Sequence, residues 1–228
     1  MTKKYELVLD DTISFWGWKL FRIRALISFG SVEAGDLGGY IQKEENLSHD
    51  DNAWVSGNAK VSGNAKVWGD AKVWGNAKVW GNAKVSGNAK VSGNAKVWGD
   101  AKVWGNAKVW GNAKVSGNAK VWGNAKVWGD AKVWGNAWVS GNAEVWGNAK
   151  VSGNAKVSEL GDIIVFKNHW SSGRHFTYTK SNKMWKVGCF YGTGQELIEK
   201  AYRDSEKSGN YYKAYVDFVE SLEKIGNQ

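Results

Sequence analysis

The sequence predicts a mainly β fold: a parallel β-helix of six-residue units, with a β cap before it and a small α+β domain after it. Three observations carry this. From Val55 to Val157 a valine stands at every sixth position, eighteen in all. After each valine comes Trp or Ser, then Gly in all but the last unit, where Glu159 stands; Asn or Asp and then Ala follow, with Lys in most units. The composition, with 29 Gly, 16 Trp and no Pro among 228 residues, is biased in the way repeat architectures are.

The unit explains itself locally. Ala-Lys-Val-Trp/Ser alternates small apolar, charged, apolar, exposed, the period of a short strand with Ala and Val turned inward. Gly-Asn or Gly-Asp then makes a corner, because these residues accept positive φ at least cost. Three strand-plus-corner units closing a triangle place each residue on the one 18 positions later, so the eighteen units make about six coils and a rod roughly 29 Å long at a strand spacing of about 4.8 Å. A flattened, two-sided solenoid with two units to the coil is the alternative; the small alanine in a fixed inward slot suits the narrower triangle.

This pattern resembles the hexapeptide-repeat left-handed parallel β-helix family, whose unit has an aliphatic residue followed four positions later by a small one, as Val67 is followed by Ala71. The resemblance covers residues 53–158 and implies a left-handed coil. That fold serves acyltransferases, γ-class carbonic anhydrases and non-enzymatic scaffolds, so it implies no single activity.

An open β-helix end exposes apolar side chains and unpaired backbone, so both ends need covers. Residues 1–52 read as the first: Tyr5 to Leu9 and Lys19 to Arg24 are strand-like, and Ile41 and Leu47, six apart, read as an imperfect first coil. Residues 53–158 are the regular array. Residues 159–228 read as an α+β domain, with strands at Ile163–Phe166, Phe176–Thr179 and Met184–Val187 and turns at Ser172-Gly173 and Ser181-Asn182. Thr193 to Glu196 fits a capping box opening a helix with Leu197, Ile198, Ala201 and Tyr202 on its apolar face. A second helix, about 210–225, turns Tyr215, Val216, Val219 and Leu222 to one side. The stretches Gly35 to Tyr40 and Val187 to Thr193 resemble uncharacterised phage and prophage proteins often labelled polymer-forming, which implies a phage-encoded protein acting in the host cytoplasm.

The first residues lack the apolar run of a secretory signal, and no run is long enough to span a bilayer. A single cysteine, Cys189, rules out an intrachain disulfide and suits a reducing, cytoplasmic compartment. The charge of +9 is uneven: residues 53–158 carry +11, residues 1–52 carry −3 and residues 159–228 carry +1.

Catalysis is not expected. The three histidines, His49, His169 and His175, all lie outside the array, which excludes a γ-type zinc site there and removes the histidine an acyltransferase needs. Cys189 with His169 or His175 could pair as nucleophile and base, but a lone cysteine between Gly188 and Phe190 reads as a small hydrophobe. Asp70, Asp100 and Asp130 fall on three different faces under an 18-residue coil, so they share no ion. No metal and no cofactor is expected.

The expected role is binding. Outward lysines stacked at about 4.8 Å repel by about 0.9 kcal/mol per pair in water, which their stems and heads offset by lying over indoles or by taking a polyanion. The tryptophans after valine divide among the faces as Trp74, Trp110, Trp128 and Trp146; Trp80, Trp98 and Trp134; and Trp68, Trp104 and Trp122. V-W-G-D recurs at Val67, Val97 and Val127, a 30-residue unit that rotates features around the rod. The candidate groove is Trp110, Trp128 and Trp146 with Lys108 and Lys126, and its ligand class is single-stranded nucleic acid. The candidate carboxy-terminal surface is Trp170, Arg174, His175, Tyr191 and Tyr212, residue types enriched at interface hot spots. It predicts a scaffold that binds a host or viral protein, inhibition of a defence factor such as a CRISPR nuclease being one concrete form. No membrane is expected as partner. Dimers and trimers of such rods are the assemblies to test.

Overall fold

In this computed structural model residues 3–225 are described. The first two residues of the stretch read for a leader, and the last three of the carboxy-terminal domain, lie outside them. The chain opens with an antiparallel hairpin of β1 (Tyr5–Phe15) and β2 (Trp18–Ala25), then β3 (Leu37–Ile41). Trp16 and Gly17 link β1 and β2 at φ +50° and +81°, the pair of left-handed residues a two-residue hairpin loop requires. β1 runs further than its apolar pattern indicates because a register shift between Val8 and Thr12 absorbs the acidic Asp10-Asp11.

Next come eighteen two-residue strands, β4 (Trp54–Val55) to β21 (Lys156–Val157), one for each repeat. Each pairs in parallel with the strand three later, as Lys90 with Lys108 and Val91 with Val109. The offset is the expected three units, and the two-sided alternative is not what forms. Three sheets result, one per side, and β3 heads the longest as the first of its seven parallel strands. The inner alanines and valines of every unit are at most 1% exposed. Backbone ladders tie coil to coil, for example from the Lys60 N–H to the Ala77 carbonyl at 2.9 Å.

Corner glycines do two jobs. Gly111 sits at φ +69°, and a Cβ there would meet the Gly129 nitrogen at 3.0 Å. The asparagines beside them form amide ladders up the rod, Asn94 donating to Asn112 at 3.1 Å and Asn112 to Asp130 at 3.0 Å. Asp70, Asp100 and Asp130 each end a run on a different ladder, accepting from Asn52, Asn82 and Asn112, because a carboxylate has no N–H to pass on.

Ile41 and Leu47 do make an irregular first turn. Ile41 pairs with Val61 and Leu47 bridges to Val67, an offset of 20 rather than 18. The two extra residues lie before Trp54, where the Lys4 ammonium, 1% exposed, donates to the carbonyls of Asp50, Asp51 and Ala53 at 3.3, 3.1 and 2.9 Å. Burial pushes this ammonium down to about 8 against the opposing pull of Asp51 and Asp50.

The carboxy-terminal unit is a four-stranded antiparallel meander, β22 (Ile163–Lys167), β23 (His175–Thr179), β24 (Met184–Val187) and β25 (Phe190–Gly192), with helices α1 (Gly194–Asp204) and α2 (Glu206–Ile225). The three expected strands form. The short β25, carrying Gly192, gave no alternating signal. Thr193 caps α1, its Oγ1 accepting from the Glu196 N–H at 3.3 Å while the Glu196 carboxylate accepts from the Thr193 N–H at 2.8 Å. α2 starts earlier than the expected 210, and the two apolar faces are narrower than expected. Tyr202 and Leu222 are exposed, whereas Leu197, Ala201, Val216 and Val219 are buried.

This unit also closes the rod. Within the array, Lys132 donates its N–H to the Ala149 carbonyl of the next coil. In the last coil Lys150 N–H donates instead to Thr177 Oγ1 at 3.0 Å and Lys156 N–H to Ser181 Oγ at 2.8 Å. Side-chain oxygens of the meander thus satisfy donors that would otherwise form an open sheet edge.

Candidate functional site

On each side of the rod the outward positions form two columns. One is lysine, at the start of fifteen of the eighteen strands, with Trp54, Trp138 and Glu144 in the other three. The other is the residue after valine, Trp or Ser. The expected groove residues come together: Trp110 stacks on Trp128 at 4.8 Å and 5°, and Trp128 on Trp146 at 6.0 Å and 11°. Lys108 and Lys126 line the cleft beside Trp110 and Trp128. Glu144, in a lysine position, holds Lys126 at 2.9 Å. Other faces repeat the stack, Trp80 on Trp98 at 5.0 Å and 2°, Trp104 on Trp122 at 5.0 Å and 7°.

This geometry changes what the columns can bind. Within a run the indoles cover one another's faces, so nucleobases cannot stack along Trp110, Trp128 and Trp146 as the groove reading supposed. Lysine heads of the array do not lie over the stacked indoles either: among the described residues the cation–π contacts of the array's lysines go to Trp138, from Lys120 and Lys156 at 4.8 and 5.2 Å, and to Phe15, from Lys60 and Lys78 at 6.0 and 5.3 Å. Free indole faces remain where serine interrupts a run.

The lysines are nearly bare of counter-charge. Of the array's lysines only Lys126 makes a salt bridge among the described residues. Burial and then the neighbouring Lys78 lower the Lys60 ammonium. Burial, followed by Lys132, Lys186 and Arg174, lowers Lys150.

The carboxy-terminal candidates do not form one surface. Tyr212 is buried, its hydroxyl accepting from Asn168 Nδ2 at 3.2 Å. Trp170 is half-buried, stacked on Tyr211 at 4.6 Å and edge-on to Tyr212. Tyr191 is committed to the rod, its hydroxyl donating to the Ser152 carbonyl at 3.3 Å. Arg174 is exposed and His175 half-buried at the start of β23. These aromatics were read as a surface because composition does not distinguish a hot spot from the filling of a small core.

The histidines serve separate places. His49 stacks on Tyr5 at 4.2 Å in the amino-terminal cap. His169 lies edge-on to Tyr211 at 5.2 Å in the carboxy-terminal unit. Cys189 is exposed. Among the described residues no helix is long and apolar enough to cross a membrane. No protein-family model and no curated protein matches this chain.

Proposed function

We propose that this chain is a non-enzymatic, rigid β-solenoid that binds nucleic acid through the phosphate backbone. The observation that carries this reading is the set of lysine columns, one per side, on an array of net charge +11 in which a single lysine is paired with a carboxylate. A column such as Lys60, Lys78, Lys96, Lys114, Lys132 and Lys150 holds its charges at the strand spacing of about 4.8 Å. A mobile polyanion relieves that repulsion by releasing its own counterions. The reading calls for no catalytic group. Binding of a labelled single-stranded oligonucleotide tested across a salt series decides it: affinity should fall with a log–log slope of about −3 to −4, for four to six phosphates. A slope near zero would remove the proposal.

A second reading keeps a host or viral protein as partner. It is supported by the exposed row Phe218, Leu222 and Ile225 on α2, which are 51%, 38% and 69% exposed at the spacing of a helix that seats in a groove. Capture from nuclease-treated lysate with Phe218→Asp/Leu222→Asp as comparison tests this better than truncation, because residues after Val157 close the rod. The hexad pattern further supports a left-handed coil, and the exposed single thiol of Cys189 supports a reducing, cytoplasmic setting.

A further inference from the structure

Eight serines stand in the column after valine, and their neighbours one coil before and one coil after differ. Five have a tryptophan on one side at most. Three have one on both sides, a single such serine per face: Ser86 between Trp68 and Trp104, Ser92 between Trp74 and Trp110, and Ser116 between Trp98 and Trp134. All three are open clefts, of about 420, 610 and 370 Å³ respectively.

The protein itself shows what such a gap accepts. Next to the one-sided gap at Ser62, Trp16 from the hairpin loop packs edge-on to Trp80 at 4.8 Å, and Ser62 is fully buried. Next to Ser140, Trp138 packs edge-on to Trp122 at 5.6 Å. At Ser152 the carboxy-terminal unit supplies Tyr191, whose hydroxyl reaches the Ser152 carbonyl, and Lys186, 5.7 Å from the Trp134 ring. At Ser62, Ser140 and Ser152, then, aromatic groups of the chain pack at the gap, whereas the one-sided gap at Ser56 beside Trp74 is an open cleft and Ser158 is exposed. No aromatic group of the chain enters the three two-sided gaps; at Ser116 the carboxy-terminal unit lines the rim with Lys186 and Gly188.

Their dimensions define a ligand. Two coil steps separate the flanking indoles by about 10 Å, so one flat ring placed midway lies about 5 Å from each, within the range of stacked aromatic pairs and matching the 4.8 to 5.0 Å of the closest stacked pairs here. Lysines stand at each mouth: Lys84, Lys102 and Lys120 at Ser86; Lys90, Lys108 and Lys126 at Ser92, where Glu144 pairs with Lys126 and leaves Lys90 and Lys108 unpaired; Lys114, Lys132, Lys150 and Lys186 at Ser116. A planar ring between indoles with a negative group among ammonium ions is the chemistry of a nucleotide unit.

We propose that Ser86, Ser92 and Ser116 mark three indole-walled slots, each taking one nucleobase with its phosphate on the adjoining lysines. The slots deepen the nucleic-acid reading but do not depend on a polymer. They lie on three different sides, so each works alone, and the base can come from a free nucleotide or from a strand.

The test compares the full chain with Ser86→Trp/Ser92→Trp/Ser116→Trp, in which the missing indoles are restored and every lysine is kept. Tryptophan is already the commoner residue at this position of the repeat, so the variant retains the fold, checked by its thermal transition. Tryptophan quenching is read with a 5′-mononucleotide, with ribose 5-phosphate as the ring-free control, and with a single-stranded oligonucleotide. Quenching by mononucleotide or oligonucleotide, absent with ribose 5-phosphate and at least about tenfold weaker in the triple variant, supports the slots. The two arms identify the source of the base. Quenching by neither ligand, or quenching that survives the substitutions, overturns them. Low-salt retention of the oligonucleotide by the triple variant tests the lysine columns separately, so either idea can fail without the other.

Discussion

The array and the carboxy-terminal unit bury their cores by opposite means. In the array two small side chains, Ala and Val, occupy every inner position and each stacks on its own kind one coil away. In the carboxy-terminal unit eight buried residues of six types, among them Phe176, Trp185 and Tyr212, fill an irregular space. The first solution tolerates repetition because each coil supplies the same cavity to the next. The second depends on individual shapes, so its residues cannot be exchanged among themselves.

Substitution of single core residues should break this comparison most severely. Val109→Asp places an unpaired carboxylate between two coils with no polar partner, and we expect a loss of more than about 4 kcal/mol in urea denaturation, with little soluble protein. Phe176→Ala should cost about 3–5 kcal/mol by leaving a cavity. Its effect should appear in the carboxy-terminal unit first, read as loss of protection there in hydrogen exchange while the array stays protected. Simultaneous loss in both regions would mean that the closing contacts from Thr177 and Ser181 make them one cooperative body.

Glycine corners sharpen the comparison at lower cost. Gly111 and Gly147 both have positive φ, +69° and +61°, but a Cβ at Gly147 meets nothing within 4 Å. Gly147→Ala should therefore cost about 1 kcal/mol for conformation alone. Gly111→Ala should cost about 2–3 kcal/mol, since adjacent coils must also separate. Equal costs would show that the stack yields freely at its corners.

The pH dependence is smaller and its sign follows from burial. Lys4 is lowered to about 8, and Lys60 and Lys150 are lowered as well. Between about pH 8 and 10 the unfolded chain therefore holds protons that the folded chain has released, and stability should rise with pH. Burial raises Tyr5 and Tyr178, the latter also through its hydrogen bond to Glu223, so above about pH 10 the folded chain holds the extra protons and stability should fall. Thermal denaturation from pH 7 to 11 should show this maximum. A steady decline from neutrality would contradict it.

Least costly is the amide ladder. Asp130→Asn supplies the N–H that Asp130 lacks toward Asn148, and should stabilise by a few tenths to about 1 kcal/mol. No gain would mean that the exposed amides do as well with water.

Much of the candidate surface could be read from the chain because the repeat converts position into place. Under an 18-residue coil, Trp110, Trp128 and Trp146 must adjoin, and so they do. Their closeness has a consequence that spacing alone does not show: indoles at 4.8 to 6.0 Å cover one another, so free indole faces occur where a serine stands between two tryptophans rather than along the run. Tyr212 is buried rather than on the expected surface, a placement no period in the carboxy-terminal unit could signal. Phe218 was overlooked because its exposure depends on how α2 lies over the meander.

The sequence by itself determined the 18-residue coil, its alanine and valine interior, its glycine corners and the side on which every lysine and tryptophan stands. These follow from steric rules acting within six residues and repeated, so the sum of local choices is already global. Only the tertiary structure decided that Trp16 packs beside Ser62, that Thr177 and Ser181 cap the last coil, and that Ser86, Ser92 and Ser116 stay open. Those outcomes depend on where unrepeated segments return to the rod after long excursions in sequence, and that is set by the packing of particular shapes rather than by any period in the chain.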